Sequence, residues 1–186
     1  MSTTIAHIAV FVSGAGTTLQ ALLDRQQTSH YRVSLVVANR ECGALERALR
    51  TGVPTLLSRD WEDINRHLQA ANVELIVLAG YLAIIPKEVC EQWAGRLINT
   101  HPSLLPKFGG KGMYGLRVHE AVIVAGEKES GCTVHYVSTT VDGGDIIAQT
   151  RVPVLMDDTP ATLAARVQAA ERNLLPKVVE QLTTDR

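Results

Sequence analysis

Short apolar runs that alternate with segments of helical periodicity constrain this chain more than any other feature. The runs fall at residues 5–12, 33–38, 53–57, 73–79 and 97–100. Segments 17–25, 44–50, 61–71 and 86–93 separate them and carry apolar residues at helical spacing. Runs that are apolar at most consecutive positions, rather than at alternate ones, suit strands buried on both faces. Strand and helix in alternation predict βαβ units, hence an α/β fold with a Rossmann-like, mostly parallel sheet flanked by helices. The pattern changes beyond residue 99. Residues 102–115 are rich in Gly and Pro and read as a loop, and a helix is expected near 118–125. Residues 132–137 and 146–154 read as paired strands, an antiparallel C-terminal portion of the sheet. A long helix over 158–182 follows, and Pro176 is expected to bend it or break it locally. Without a linker, repeat or low-complexity segment, residues 1–186 read as one domain.

Charge and cysteine usage narrow the partners. A formal net charge of -1 supplies no global field for nucleic acid or an anionic membrane, so small molecules held by local groups are expected instead. Cys42, Cys90 and Cys132 are an odd set without a CxxC pair, which suggests neither a disulfide framework nor a zinc site. No apolar stretch reaches the ~18 residues of a membrane span. The start of the chain is polar and lacks a basic leader, so a cytoplasmic protein is expected.

Ligands of open α/β sheets collect beyond the carboxyl ends of the strands, which singles out the segments after Val12, Ala79 and Ile98. After Val12, the stretch Ser13-Gly14-Ala15-Gly16-Thr17-Thr18 opens the first helix. Small residues let a ligand approach the backbone, and a helix start offers unpaired amides to a phosphate. Leu19 stands where a dinucleotide fingerprint wants its third glycine, and no lysine precedes position 87 to make a Walker loop. A phosphomonoester site or a plain capped turn remains.

Asn99-Thr100-His101-Pro102-Ser103-Leu104-Leu105-Pro106 is the most informative stretch. Asn99 and His101, two apart at a strand end, point the same way. An amide donor beside an imidazole suits acyl transfer, the amide for a developing oxyanion and the imidazole for protons. A structural hydrogen-bonding pair has the same spacing. Asp142, in Val141-Asp142-Gly143-Gly144-Asp145, reads first as a turn residue. If it meets His101 across the fold, its carboxylate would orient the ring and favour the imidazolium. By residue type alone, Glu171 is a solvated surface acid, His7, His30 and His67 are solvated, His119 begins a helix, and His135 lies in a strand with no partner evident.

Taken in order, several blocks resemble the phosphoribosylglycinamide formyltransferase family, within the folate-dependent formyltransferases, over nearly the whole chain. They are Val12-Ser13-Gly14-x-Gly16-x-x-Leu19-Gln20, Val77-Leu78-Ala79-Gly80-Tyr81, the Asn99 to Pro106 stretch, Gly131-Cys132-Thr133-Val134-His135, and Val141-Asp142-Gly143-Gly144. Glu171 followed by Pro176 matches the family's last helix. The resemblance implies that 10-formyltetrahydrofolate is the co-substrate, with no metal. Asn99, His101 and Asp142 would be catalytic. Gly16, Thr17, Thr18 and Glu171 would bind the phosphoribosylglycinamide, with Glu171 at its glycinamide end. Leu82, Ala83, Ile84 and Ile85, together with Asn99, would meet the folate, the first four through backbone groups.

This chain departs from the family in places. Ala15-Gly16-Thr17-Thr18 stands where many members carry Asn-Gly-Ser-Asn, Ala83 replaces a position that is often basic, and the loop 108–115 is longer than in some relatives. Methionyl-tRNA formyltransferases and formyltetrahydrofolate deformylases share the core. Their usual extra C-terminal or N-terminal domain is not expected here, because the glycine loop opens near residue 13 and the chain ends soon after the long helix. A ligand sensor that kept the fold is the rival from outside enzymology. Monomer and homodimer both stay open.

Overall fold

The computed structural model describes residues 5–184, so the reading of residues 1–4 as free of a leader lies outside the described residues. In chain order the elements are β1 (Ala6–Val12), α1 (Thr17–Arg25), β2 (Tyr31–Ala38), α2 (Gly43–Arg50), β3 (Thr55–Leu57), α3 (Trp61–Ala70), β4 (Leu75–Leu78), α4 (Lys87–Gln92), β5 (Leu97–His101), α5 (Leu116–Val124), β6 (Glu129–Tyr136), β7 (Ile146–Pro153) and α6 (Pro160–Thr184). A short 3₁₀ turn, Gln26–Thr28, follows α1. The strands form one seven-stranded sheet in the order β3-β2-β1-β4-β5-β6-β7. The first five in that order are parallel, and β6 and β7 run antiparallel to their neighbours. This is the mixed architecture that the sequence pattern predicts.

Period-two alternation explains why the inner stretches of β1, β2 and β4 are apolar at consecutive positions, with His7, Arg32 and Ser34 falling near the strand starts. β1 turns Ile8, Val10 and Val12 to one face, where α1, α2 and the C-terminal half of α6 cover them. It turns Ala9 and Phe11 to the other, under α3 and α4. From Ile8 onward both faces are buried, so neither set of side chains there is polar. A third cluster, Val122, Cys132, Val152, Leu163 and Val167, seals α5 and the start of α6 onto β6 and β7. The chain leaves β1 toward β2 on one side and later returns to place β4 on the other. That reversal opens a crevice at the carboxyl ends of β1 and β4, the usual ligand position in such sheets.

Some boundaries differ from the sequence reading. β2 starts two residues earlier, at Tyr31, whose ring is fully buried and whose hydroxyl donates to the Leu22 carbonyl at 3.0 Å. β3 omits residues 53 and 54: Pro54 has no N–H for the ladder, although its carbonyl accepts from Val36 at 2.9 Å. Pro160, with no amide to waste, opens α6, and the Thr159 hydroxyl accepts from the Thr162 amide at 3.2 Å. Asp158 lies before the helix and is bound by Arg166 at 2.7 Å, which holds its carboxyl far below the usual range. The expected break at Pro176 is absent, and α6 runs through it. Proline inside a helix costs about 3 kcal/mol. Burial of Leu175, Val178 and Val179 around it supplies the offset.

Candidate functional site

The glycine loop leaves β1 and enters α1 through Gly16, which has φ 77° and stands at the N-cap. A Cβ at this residue would lie 2.6 Å from the Ala44 Cβ, so both conformation and space demand glycine. Gly14, by contrast, has nothing within 4 Å of a built Cβ. Arginines, which the sequence reading passed over, hold the surrounding loops. Arg40 Nε donates to the Ser13 carbonyl at 2.8 Å, Arg47 Nε to Ala15 at 2.7 Å and Arg59 Nε to Asn39 at 2.7 Å. Each ties a strand-end loop by one nitrogen of its guanidinium. The amides of the first turn of α1 have no partner within the helix, the condition for taking an anion.

Ser13, only 1% exposed, joins the loop to its neighbours. Its hydroxyl donates to Asn39 Oδ1 at 2.7 Å and accepts from the Leu82 amide at 2.9 Å. Leu82 therefore has its own N–H engaged, and the Ile85 carbonyl accepts from the Cys90 thiol at 3.9 Å, so the Leu82 carbonyl and the backbone of Ala83 and Ile84 are the groups best placed to meet a ligand. Leu82 and Ile84 are exposed, Ala83 is half-buried, and Ile85 packs into the core over α4.

Beyond Ile98, the antiparallel pairing of β5 with β6 sets His135 directly opposite Asn99 and Thr133 opposite His101. Residues directly opposite share a face, so the pairing builds a polar cluster from two strands. Asn99 Nδ2 lies 3.1 Å from His135 Nε2. His101 Nε2 lies 2.8 Å from the Phe108 carbonyl, which can only accept, so that nitrogen carries a proton. His101 Nδ1 faces Asp142 Oδ2 at 3.5 Å. Asp142 has φ 54°, and the Gly110 amide donates to its Oδ2 at 2.9 Å. Its Oδ1 is 3.7 Å from His135 Nε2, so one carboxylate stands between two imidazoles. The segment leaving His101 is fixed by Thr133, whose hydroxyl donates to Ser103 O at 2.6 Å and accepts from the Leu105 amide at 3.1 Å.

Glu171 corrects the reading from residue type. It is 8% exposed rather than solvated, and the Thr18 hydroxyl donates to its Oε1 at 2.6 Å. Thr18 is itself buried, so this hydroxyl is committed to Glu171 and not free for a phosphate, which leaves Thr17 as the half-buried hydroxyl of the loop. Burial pushes the Glu171 carboxyl above its ordinary value, and the Thr18 hydroxyl and the nearby His101 pull it partly back. An acid whose pKa is raised by folding stabilises the protein below its unfolded pKa of about 4.3 and loses that contribution as pH rises through the folded value. Glu171→Gln keeps an acceptor for Thr18 and should raise the melting temperature of the ligand-free protein near pH 8. The gain should be about 2–4 °C for each kcal/mol relieved and should vanish near pH 4. Thermal melts across that range check it; a difference independent of pH would mean that ionisation is not the cause.

The structure thus brings Asn99, His101 and Asp142 into one cluster, and Thr18 onto Glu171. Gly16, Thr17 and residues 82–85 lie on adjoining loops at the same edge of the sheet. His7 is half-buried, with Nδ1 2.6 Å from Ser34 Oγ. His119 lies inside α5 at 2% exposure; burial first, and then His101, lowers its pKa. Its Nδ1 has no hydrogen-bond partner. Among the described residues no group of three or more His, Cys, Asp or Glu side chains could hold a metal ion. No helix of the described residues is long and apolar enough to cross a membrane.

A doubly wound sheet with an amide, two imidazoles and a carboxylate gathered where β5 pairs with β6 defines an α/β protein with one clustered polar site. The particular family follows from comparison: residues 6–179 match the formyl transferase family, and the chain belongs to it. The chloroplastic phosphoribosylglycinamide formyltransferase of Vigna unguiculata is 40% identical over 96% of this chain and 61% of its own length. The trifunctional purine biosynthetic protein adenosine-3 of Drosophila melanogaster is 42% identical over 95% of this chain, which spans 14% of that protein. Among solved structures, phosphoribosylglycinamide formyltransferase from Anaplasma phagocytophilum superposes with a TM-score of 0.90 at 38% identity, over 97% of this chain and 88% of that one.

Proposed function

We propose that this chain transfers the formyl group of 10-formyltetrahydrofolate to the amine of 5-phosphoribosylglycinamide. The products are formylglycinamide ribonucleotide and tetrahydrofolate, a step of de novo purine synthesis. The observation that carries this reading is the meeting of Asn99, His101 and Asp142 beside the glycine loop of a formyl transferase family member. The whole chain acts as one catalytic domain on small molecules in the cytoplasm, without nucleic acid, membrane or metal.

Gly16, Thr17 and the first-turn amides of α1 take the phosphate, while Glu171, held by Thr18, meets the glycinamide end. The pterin lies along the backbone of residues 82–85, where Ala83 contributes no cation. The substrate amine attacks the formyl carbon, a C–N bond forms, and the carbonyl oxygen becomes an oxyanion. Asn99 donates to that oxygen. A fixed amide in a dry site is already oriented when the charge appears, so it stabilises the transition state without reorganising. His101, with Asp142 at its Nδ1, supports the same charge and relays protons through a water once its Nε2 exchanges the Phe108 carbonyl for that water. One proton leaves the attacking amine and one joins the departing folate nitrogen as its bond to the formyl carbon breaks, so the reaction is neutral overall.

Incubation with both substrates tests the reading, with tetrahydrofolate formation followed over time. Release that requires phosphoribosylglycinamide is the expected result. Tight binding of both compounds without turnover would make the chain a sensor.

A further inference from the structure

His135 is nearly sealed from solvent, at 1% exposure, and lies outside the catalytic set assigned above. Its Nδ1 is 2.9 Å from the Tyr136 carbonyl, an acceptor only, so Nδ1 carries the proton of the neutral ring. Nε2 is then a bare lone pair and can face only a donor. The atom 3.1 Å away is the Asn99 amide nitrogen. Turned over, that amide would set its oxygen against the lone pair, and the pair would repel.

We propose that His135 is the positioning residue that fixes which end of the Asn99 amide faces the reacting carbonyl. One amide hydrogen is spent on His135 and the other is kept for the oxyanion. This rests on the role given to Asn99 above. The charged and titratable groups around the ring fit a neutral acceptor. Burial lowers the pKa of His135 first of all, the Tyr136 carbonyl and Asp142 oppose that, and His101 adds to it. Asp142 Oδ1, at 3.7 Å from a bare nitrogen, makes no hydrogen bond to it. The register of the two strands makes the contact, since Asn99 and His135 are direct partners on β5 and β6.

A double-mutant cycle on turnover tests this. His135→Phe keeps a ring of similar size but offers no acceptor. It should lower kcat by about 10–100-fold, a share of the loss that follows removal of an oxyanion donor. The Michaelis constants of both substrates should stay within about twofold. In an Asn99→Ala background the same change should alter kcat by less than about twofold, because its route of action is gone. His135→Gln, whose amide oxygen can accept the same N–H, should recover most of the turnover. If phenylalanine prevents folding, His135→Leu serves in the cycle. Equal fold-losses in the two backgrounds, or a loss confined to the Michaelis constants, would overturn the inference while leaving the formyl-transfer reading intact. An Asn99→Ala protein with wild-type turnover would remove the role of Asn99 itself, and this inference with it.

Discussion

Asp142→Asn is expected to cut turnover by roughly 10²–10⁴-fold, the range for disabling acid–base assistance, with the Michaelis constants of both substrates nearly unchanged. The substitution is close to silent in shape. Asparagine tolerates the left-handed backbone at φ 54°, and its amide oxygen can keep the bond from the Gly110 amide. What disappears is the negative charge 3.5 Å from His101 Nδ1. That charge matters most when His101 faces a developing oxyanion, so the loss belongs to the transition state rather than to the bound substrates. Steady-state kinetics with circular dichroism as a control check it. Turnover within about twofold of wild type would reduce Asp142 to a turn residue.

Asn99→Ala should lower kcat by roughly 10²–10³-fold, the loss seen when one oxyanion donor is removed. The reason differs from that for Asp142. Asn99 acts by direct donation, and its truncation leaves the Nε2 of His135, 3.1 Å away, without a partner. Some stability is lost as well, by about 1–3 kcal/mol for an unsatisfied buried acceptor. Single-turnover measurements at saturating substrates separate chemistry from binding. A normal chemical step with weakened folate affinity would place Asn99 in recognition alone.

The fold was legible because burial on both faces leaves a simple mark. Ile8 to Val12 had to be apolar at every position once helices covered both sides of β1, and such runs are hard to mistake. Where a boundary moved, a tertiary contact outweighed the local pattern: Tyr31 joins β2 through its bond to Leu22, and Pro176 stays helical because its neighbours are buried. The site was half legible. Asn99 and His101 are two apart, and strand periodicity alone aims them together. His135 and Glu171 are 36 and 153 residues from their partners Asn99 and Thr18, and only strand register and helix docking bring them in. The sequence held a signal for His135 in the family block Gly131 to His135, but its place opposite Asn99 comes from the pairing of β5 with β6, which the paired strands read from the sequence did not include. No local pattern marks a carboxyl that a distant helix will bury.

The tight packing of Gly16 against Ala44 also explains where this chain is free to differ from its relatives. A methyl at residue 16 would overlap the methyl at residue 44, so the two positions form a joint constraint in which neither can grow alone. The departures from the common Asn-Gly-Ser-Asn pattern fall at Ala15, Thr17 and Thr18 and skip Gly16. Ala15 is exposed and Thr17 half-buried, while Thr18 turns its hydroxyl to Glu171. Diversification of the glycine loop is thereby channelled into side chains that decorate it, and the path of its backbone is locked by a residue on another helix.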